Sequence, residues 1–405
     1  MIATFEPSIA QGVIAAAPSK SMAHRLLICA GLSRGESLIE NVSLSEDIRA
    51  TLDCLRALGA VVEADGSDVR VTGTDWRSLA FSAGLWCGES GSTLRFFIPI
   101  CLLSGDRFIL RGSPALFRRP LGAYKNICAE QGLLFNESAD SLSVQGPLTG
   151  GVYPVSVAES SQFVSGLLFA LPLLDRDSQI RLLPPVESRP YIDMTKQALE
   201  LFGVKIDWID DTTILVPGRQ EYRPARTRVE GDYSNAAFFQ ALDLLGGDVT
   251  ITGLDPDSLQ GDLHSKEFFR RLQEGPAAID ISDCPDLGPV LLAVAADQHG
   301  GVFTGTRRLR LKESDRASAM QEELGKFGAK VEAEEDRITV SPGGLHAPSA
   351  TLDGHNDHRI VMALSVLAAK YGGCISGAEA VAKSLPDFFD RLRYLGVRVE
   401  TDDKA

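Results

Sequence analysis

One arrangement recurs along this chain: an amphipathic helix, a glycine, a short strand, a polar turn and a second strand. Complete copies occupy residues 52–73, 125–146, 196–218 and 320–343, and shortened copies occupy residues 268–283 and 388–403. The glycines that follow the helices are Gly59, Gly132, Gly203, Gly275, Gly328 and Gly396. Glycine is favoured where a helix ends in a left-handed cap, and period-two alternation after it is typical of half-buried strands. The recurrence therefore predicts a fold built from a repeated α/β unit.

The number and spacing of the copies restrict the fold class. Six copies are too many for one dinucleotide-binding sheet, and no GxGxxG follows a strand. Their spacing of about 70 residues is too long for an ordinary solenoid repeat. We therefore predict an α/β protein of two pseudo-symmetric domains, each with three repeats.

Two stretches are candidates for the boundary between these domains. One is the Gly/Ala-rich segment near residues 13–18, and the other is the Arg-rich turn and its continuation at 224–231. If the first strand belongs with the second half, the chain crosses between domains twice, and such a hinge allows closure around a ligand. The predicted domains are residues 1–13 with 228–405, and residues 14–227.

Composition excludes several classes of partner. The chain has 405 residues, of which 44% are hydrophobic and 23% charged, as in ordinary globular proteins. Its 40 basic and 54 acidic residues give a net charge of −14. A negative field of this size disfavours nucleic acids and anionic membranes. We expect neither as a partner, and we expect any basic cluster to act as a local site.

Cysteine and histidine usage points to a reduced compartment without a metal. Seven cysteines occur without CxxC spacing, and Cys29, Cys54, Cys101 and Cys128 fall in apolar or helical patterns that predict burial. Six histidines form no HxH or HExxH motif. The sequence shows no signal-peptide pattern and no apolar run of the ~18–20 residues that a membrane span needs. We therefore expect a cytoplasmic protein with no metal and no cofactor.

The segment LKESDR (311–316) sets an acid between two cations. Arg316 follows Glu313 by three residues and Lys312 by four, so the three side chains share one face if the segment opens a helix. Alone, such a run is typical of a solvated surface. Basic residues beside small or hydroxyl residues recur, however, in PSKS (18–21), GSTLR (91–95), SRPY (188–191) and DHR (357–359). Repeated anion-binding motifs indicate a substrate with several negative charges.

A series of short motifs then identifies a family. In chain order they are PSKSMAHR (18–25), CGESGSTLR (87–95), RRPL (118–121), ESSQF (159–163), ESRPYIDMT (187–195), EGDYSNAAFF (230–239), PDLGP (285–289), LKESDR (311–316), NDHR (356–359) and KSLPDFF (383–389). Over essentially its whole length the chain resembles the enolpyruvyl transferases, and among them the 5-enolpyruvylshikimate-3-phosphate synthase family. The resemblance implies two inverted α/β domains, each of three βαβαββ units, with the active site in the interdomain cleft.

The resemblance also implies a reaction and its substrates. The enolpyruvyl group of phosphoenolpyruvate would pass to the 5-hydroxyl of shikimate 3-phosphate by addition and elimination, with release of phosphate, in the pathway to chorismate and the aromatic amino acids. Matching positions assign to phosphoenolpyruvate Lys20, Gly91, Arg119, Gln162, Arg316, Arg359 and Lys383. They assign to shikimate 3-phosphate Lys20, Ser21, Arg25, Ser160, Ser161, Gln162, Ser188, Asp286 and Lys312, with Tyr191 as a wall of its pocket.

Three residues are candidates for proton transfer. The resemblance places Asp286 at the shikimate hydroxyl and Glu313 at C3 of the enol, and paired carboxylates divide acid and base work when their environments differ. We expect Lys312 and Arg316 to lower the pKa of Glu313 and bound anions to raise it again. Lys20 as a partner in these transfers is an open alternative.

Two other functions stay open at this point. The first is the related UDP-N-acetylglucosamine enolpyruvyl transferase, which carries a reactive cysteine in a mobile loop, whereas residues 113–123 contain none. The second is a non-catalytic anion-binding protein, which would not need both Asp286 and Glu313.

Departures from the family motifs concern Glu89, Phe96 and Arg308. Glu89 brings an acid close to the proposed anion sites, Phe96 replaces a common proline, and Arg308 stands where some members use asparagine. Gly91 allows glyphosate to fit, so glyphosate is an expected inhibitor of undefined strength. We expect a monomer.

Two local predictions concern helix starts. Ser160 and Ser161 are expected to cap a helix that begins near Gln162. Ser45, with the acids that follow it, is expected to start a helix over 46–58.

Overall fold

A computed structural model of the protein describes residues 1–75 and 84–402. The predicted domain ranges also include residues 76–83 and 403–405, which lie outside the described residues. The chain forms two compact units. The continuous unit is Pro18–Glu230, and the split unit is Met1–Ala17 with Gly231–Ala405. The chain thus passes between the units twice, a few residues beyond each predicted boundary.

Helices and strands alternate along both units. The helices are α1 (Lys20–Leu32), α2 (Glu46–Ala57), α3 (Gly91–Cys101), α4 (Pro114–Phe117), α5 (Gly122–Glu130), α6 (Gln162–Ala170), α7 (Arg189–Leu201), α8 (Tyr233–Leu244), α9 (Ser265–Glu274), α10 (Gly288–Asp297), α11 (Arg316–Lys326), α12 (His358–Tyr371) and α13 (Phe388–Tyr394). The strands are β1 (Ile2–Phe5), β2 (Gln11–Ala15), β3 (Glu36–Glu40), β4 (Val61–Asp65), β5 (Asp68–Thr72), β6 (Leu85–Trp86), β7 (Arg107–Arg111), β8 (Leu134–Glu137), β9 (Ser141–Gln145), β10 (Val152–Ser156), β11 (Ser178–Leu183), β12 (Asp207–Trp208), β13 (Thr213–Val216), β14 (Arg226–Arg228), β15 (Asp248–Thr252), β16 (Ala277–Asp280), β17 (Gly301–Thr304), β18 (Lys330–Ala333), β19 (Arg337–Ser341), β20 (Leu352–Asp353), β21 (Gly373–Ser376) and β22 (Val399–Asp402).

The sheets repeat one topology. In the continuous unit the strand orders are β14-β3-β5-β4, β6-β7-β9-β8 and β10-β11-β13-β12. The first pair of each sheet is parallel and the other pairs are antiparallel. The split unit repeats this in β16-β17-β19-β18 and β20-β21-β1-β22, while β15 pairs in parallel with β2. The predicted fold of repeated α/β units is confirmed.

The glycine caps follow the prediction with one exception. Left-handed φ angles of 99°, 68°, 80°, 93° and 84° occur at Gly59, Gly132, Gly203, Gly328 and Gly396. Gly275 has a φ of 160° and a ψ of −174°, which is close to extended backbone. The predicted left-handed cap is therefore wrong at Gly275. The chain there runs straight from α9 into β16, which pairs in parallel with β17 and does not form a hairpin with the next strand.

Six helices lie almost wholly within the core, and their starts carry several of the polar motifs. α1, α3 and α6 in the continuous unit, and α8, α10 and α12 in the split unit, are buried along nearly their whole length. A helix that is apolar on nearly every face lies inside the core. Six of the predicted motifs stand at the N-terminal ends of these helices, where backbone N–H groups favour anions. The motifs ESRPYIDMT and LKESDR lead instead into α7 and α11.

Two further expectations concern the core and the membrane. Cys29, Cys54, Cys101 and Cys128 are all buried, as predicted. Across residues 1–75 and 84–402, no helix is both long and apolar enough to cross a membrane.

Candidate active site

Lys20 is the first residue of α1 and faces the start of α2. The α1 cap is Ser19, whose Oγ accepts a hydrogen bond from the Met22 amide at 3.3 Å. Lys20 Nζ donates to Asp47 Oδ2 at 2.9 Å, and the two side chains are only 16% and 12% exposed. Asp47 follows the predicted cap Ser45, so the first turn of α2 supplies the partner of the predicted catalytic lysine. Lys20 is thereby held in place by its ion pair with Asp47.

Gly91 and Arg119 are in contact at the start of α3. The helix is capped by Ser90, whose Oγ accepts from the Thr93 amide at 3.2 Å. A Cβ placed on Gly91 would lie 2.5 Å from Arg119 Nη1. Only glycine therefore lets this guanidinium lie against the end of the helix, where a positive side chain and the helix dipole together attract an anion.

Arg95 fixes the orientation of Gln162. Its Nη1 donates to Gln162 Oε1 at 2.8 Å, and Gln162 Nε2 then donates to Ser92 Oγ at 2.9 Å. Arg95 Nη2 also donates to the carbonyl of Pro120 at 3.1 Å, beside Arg119. Arg95 was not among the predicted site residues. An arginine inside the apolar sequence of α3 was the signal that could have identified it.

The helix start at Gln162 agrees with the prediction, but the hydrogen-bonding oxygen differs from the one expected. Ser161 occupies the cap position without a side-chain hydrogen bond to the helix. Instead, Ser160 Oγ accepts from the Gln162 amide at 3.2 Å. The predicted cap position at Ser161 is confirmed, but Ser161 has helical backbone angles and the capping oxygen comes from Ser160.

Arg25 is a buried arginine that joins α1 to α7. Its Nε donates to Thr195 Oγ1 at 2.8 Å, its Nη1 to the Ser21 carbonyl at 2.6 Å, and its Nη2 to the Tyr191 carbonyl at 2.9 Å. Burial lowers the pKa of Arg25 to about 10. Ser188, also buried, precedes α7 with a φ of 56°. The structure thus brings together four residues assigned to shikimate 3-phosphate or to the wall of its pocket: Ser21, Arg25, Ser188 and Tyr191.

In the split unit, the LKESDR segment does not form one helical face. Residues Arg307–Leu311 form a 3-10 helix, and α11 begins only at Arg316. Asp315 is the cap, with its Oδ1 accepting from the Ser318 amide at 3.1 Å. The prediction of a shared helical face for Lys312, Glu313 and Arg316 is wrong, because an acid at the cap position starts the helix after the first two residues.

Arg316 is a buried guanidinium that binds three carboxylates. Nε donates to Asp357 Oδ2, Nη1 to Asp286 Oδ1 and Nη2 to Glu313 Oε2, each at 2.8 Å. Burial alone would lower the pKa of Arg316, but Asp357, Glu313 and Asp286 raise it above its ordinary value. Both predicted catalytic acids are therefore attached to one rigid cation.

Asp286 is surrounded by three cations. Lys312 Nζ lies 3.1 Å from Asp286 Oδ1, and Arg359 Nη2 lies 3.8 Å from Oδ2. Burial would raise the pKa of Asp286, but Lys312, Arg359 and Arg316 hold it well below its usual range. For Lys312, burial lowers the pKa even though Asp286 opposes this. Asp286 is consequently a carboxylate at neutral pH, and it can accept a proton from a hydroxyl but has none to donate.

Arg359 is a buried arginine at the start of α12. It is 3% exposed and lies over the Phe238 ring, with Cζ 5.7 Å from the centroid. Among the described residues, its Nε and Nη1 have no hydrogen-bond acceptor. Nearby, Lys383 Nζ donates to the carbonyl and Oδ1 of Asn356 at 2.7 and 2.8 Å. Buried cationic donors of this kind call for an anionic ligand.

The three departures from the motifs occupy separate environments. Phe96 is buried, and its ring centroid lies 5.3 Å from the ring centroid of Phe169 and 5.4 Å from Arg25 Cζ. Arg308 is buried and donates to the Ser282 carbonyl at 2.7 Å. Glu89 lies immediately before the cap of α3.

A sequence model of EPSP synthase (3-phosphoshikimate 1-carboxyvinyltransferase) matches residues 6–392. The chain belongs to the EPSP synthase family. The resemblance predicted from the motifs is thereby confirmed. A 3-phosphoshikimate 1-carboxyvinyltransferase of Clostridium kluyveri is 38% identical, covering 98% of each chain. One from Clostridium novyi is 37% identical, covering 96% of each chain.

Solved structures share the fold. EPSP synthase from Acinetobacter baumannii superposes with a TM-score of 0.81 at 22% identity, over 98% of this chain and 99% of its own. The enolpyruvyl transferase NikO from Streptomyces tendae gives 0.79 at 15% identity, over 98% of each chain. Because two differently named enzymes match almost equally, the fold alone does not identify the substrate. The EPSP synthase family is identified by sequence.

Proposed function

We infer that this protein transfers the enolpyruvyl group of phosphoenolpyruvate to the 5-hydroxyl of shikimate 3-phosphate and releases phosphate. Family membership supports the reaction. The observation that carries the chemistry is the arrangement around Arg316, which binds both Asp286 and Glu313 beside the available donors of Arg359. An anion-binding protein would need the cations but not two acids positioned for proton transfer.

Phosphoenolpyruvate carries a phosphate and a carboxylate and therefore needs several cations. We assign to it Lys20, Gly91, Arg119 and Gln162 of the continuous unit and Arg316, Arg359 and Lys383 of the split unit. Gly91 and Arg119 already touch, and Arg359 offers Nε and Nη1. Guanidinium groups suit this ligand because they bind carboxylate and phosphate oxygens through paired N–H groups.

Shikimate 3-phosphate is assigned to the hydroxyl and amide groups together with a smaller set of cations. The proposed contacts are Lys20, Ser21, Arg25, Ser160, Ser161, Gln162, Ser188, Asp286 and Lys312, with Tyr191 beside the ring. The start of α6 supports a phosphate contact, because backbone N–H groups are concentrated there. Asp286 supports the contact with the 5-hydroxyl because it is ionised and can accept a hydrogen bond or a proton.

The proposed steps balance as an addition followed by an elimination. The 5-hydroxyl oxygen forms a bond to C2 of the enol while its proton passes to Asp286. C3 takes a proton from Glu313 and becomes a methyl group. In the second step C3 returns a proton to Glu313 and the double bond reforms as the bond from C2 to the phosphate oxygen breaks. The departing phosphate takes the proton that Asp286 accepted, so both acids are restored. Lys20, held 2.9 Å from Asp47, is the alternative carrier of one of these protons.

The direct experiment measures phosphate release from the purified protein supplied with phosphoenolpyruvate and shikimate 3-phosphate. Steady release with this pair supports the proposal. Release only with UDP-N-acetylglucosamine in place of shikimate 3-phosphate would transfer the assignment to that related activity. Tight binding of both substrates without release would identify an anion-binding protein.

Four further points belong to the proposal: the oligomeric state, the location, an inhibitor and a hinge. The protein acts as a monomer in the cytoplasm, and glyphosate occupies the phosphoenolpyruvate site because its phosphonate and carboxylate match the same cations. The two chain crossings, after Ala17 and after Glu230, serve as the hinge. Light scattering tests the monomeric state, and inhibition kinetics against phosphoenolpyruvate test the glyphosate site.

A further inference from the structure

A fully buried carboxylate underlies the loop that leads into α12. Glu323, on α11, is 0% exposed. Its two oxygens accept hydrogen bonds from Lys326 Nζ at 2.8 and 2.9 Å. They also accept from the Asp353 amide at 2.9 Å and from His355 Nε2 at 3.0 Å. Burying a carboxylate is unfavourable unless it is paired. Among the described residues, the hydrogen bonds to Glu323 other than those from Lys326 come from residues 353–355.

The loop adopts a backbone that side chains rarely favour. His355 and Asn356 have φ angles of 49° and 51°, which are in the left-handed region. Asp353 Oδ1 accepts from the His355 amide at 2.7 Å and tightens the turn. Two consecutive residues with side chains keep such a conformation only where surrounding contacts impose it.

This loop determines where the proposed anion-binding cations lie. Asn356 accepts both hydrogen bonds from Lys383. The next residue, Asp357, accepts from Arg316 and from the Arg359 amide. A shift of the loop would therefore move Lys383, Arg316 and Arg359 together.

We propose that Glu323 and His355 are positioning residues that lock the loop at 353–357, so that Arg359 and Lys383 are presented correctly to the anionic substrate. The identity of that substrate rests on the proposed function. Neither residue needs to contact it. The pair acts through the left-handed turn and through Asn356 and Asp357.

A bound metal ion is a weaker explanation of the same cluster. Glu322, Glu323 and His355 offer ligand atoms that lie within 4.8 Å of one another. Lys326, however, places its ammonium group against both oxygens of Glu323. The lysine already supplies the positive charge that the buried acid requires.

The test compares three purified variants: Glu323→Gln, His355→Gln and, as a matched control, Glu322→Gln. Glu322 is on the same helix and 62% exposed, and it lies 3.8 Å from Lys326. In Glu323→Gln and His355→Gln we expect KM for phosphoenolpyruvate to rise about 10- to 100-fold, since small misplacements of binding groups have effects of this size. We expect kcat to change less. Glu322→Gln should match the unaltered protein when both are assayed at a pH low enough for His355 to be protonated in each.

Backbone amide hydrogen exchange of residues 353–359 provides a readout that does not depend on activity. Exchange at residues 353–359 should become faster in Glu323→Gln and in His355→Gln, while exchange in α3 and α6 stays unchanged. Should Glu323→Gln fail to fold, His355→Gln decides the question, because His355 is at the loop surface with 24% of its side chain exposed. Normal exchange and normal KM in His355→Gln would overturn the proposal.

The pH profile separates a positioning role from a merely structural one. His355 faces Glu323 and Glu322 on α11 and Asp353 on β20, and these acids raise its pKa. Its charged contact is thus complete at low pH and weakens as pH rises through that pKa. KM of the unaltered enzyme should rise in that range, and KM of His355→Gln should lack this component.

The two levels of inference fail in different ways. If the unaltered protein releases no phosphate, the proposed function fails, while the exchange comparison still tests the loop lock. If the unaltered protein is active and the two loop variants behave like Glu322→Gln, only the positioning role fails.

Discussion

Arg316 Nε donates to Asp357 Oδ2 across 2.8 Å, and the two side chains are 1% and 0% exposed. Arg316 begins α11, whereas Asp357 caps α12 and accepts from the Arg359 amide at 2.9 Å. The same guanidinium binds Asp286 and Glu313. One buried cation therefore connects the starts of two helices to both proposed proton-transfer acids.

Replacing Arg316 should reduce stability as well as activity. Arg316→Lys keeps a positive charge, but a single ammonium cannot bind three carboxylates in a fixed plane. Removing one partner of a buried ion pair typically costs about 3–5 kcal/mol, and we expect a loss of free energy of unfolding approaching that range. Urea denaturation measures it. Arg307→Lys, on a 48% exposed side chain with ion-pair distances of 3.6 and 4.0 Å, is the control, and an equal loss there would contradict this reading.

Glu313→Gln should preserve the shape of the site and remove proton transfer. General acid–base groups contribute about 10²–10⁴-fold, so turnover should fall by that factor. Affinity should change far less, because the amide fills the same space. Lys20→Ala should instead weaken affinity and rate together. Near-normal turnover in Glu313→Gln would leave Glu313 as an orienting partner of Arg316, 2.8 Å away.

Local sequence signals were sufficient for the repeated unit but not for its long-range pairing. Alternation in DVRVT predicted β5, where Val69 and Val71 are fully buried. Nothing local indicates that β1 lies between β21 and β22, with Ala3 opposite Ile375 and Thr401. The exception at Gly275 has the same origin, because the strand that follows it pairs with β17 from further along the chain.

The candidate site was predictable as a set of residues but not as a set of contacts. Motifs marked Arg316 and Asp286, and the structure places them 2.8 Å apart. Asp357 joins this cluster only because α12 packs beside α11. The left-handed turn at Asn356 depends in turn on Glu323, more than thirty residues earlier in the chain. Such partners follow from tertiary packing, which a motif does not encode.

Gly91→Ala should weaken both phosphoenolpyruvate binding and inhibition by glyphosate. The added methyl group would lie 2.5 Å from Arg119 Nη1, so the guanidinium must move. We expect KM for phosphoenolpyruvate and the glyphosate inhibition constant to rise together in steady-state kinetics. Gly105→Ala is the control, since a Cβ there meets nothing within 4 Å. Unchanged inhibition in Gly91→Ala would show that Arg119 does not line the glyphosate site.

His24 should make stability depend on pH in weakly acidic solution. It is 1% exposed, and its Nδ1 lies 2.8 Å from Thr51 Oγ1. Burial, and then Lys20 and Arg25, hold the pKa of His24 well below 6.5. Below about pH 6.5, His24 therefore becomes protonated in the unfolded chain but stays neutral in the folded chain until its own lower pKa is reached.

The free energy of unfolding should consequently decrease as pH falls from about 6.5 toward the folded-state pKa, by up to ~1.4 kcal/mol per pH unit from this residue. His24→Asn keeps a polar group near Thr51 but does not titrate, so its curve should lack that component. Urea denaturation between pH 7.5 and 5 measures the difference. Exposed His299→Gln serves as the control and should retain the full slope. Parallel curves for His24→Asn and the unaltered protein would mean that His24 is protonated in the folded state.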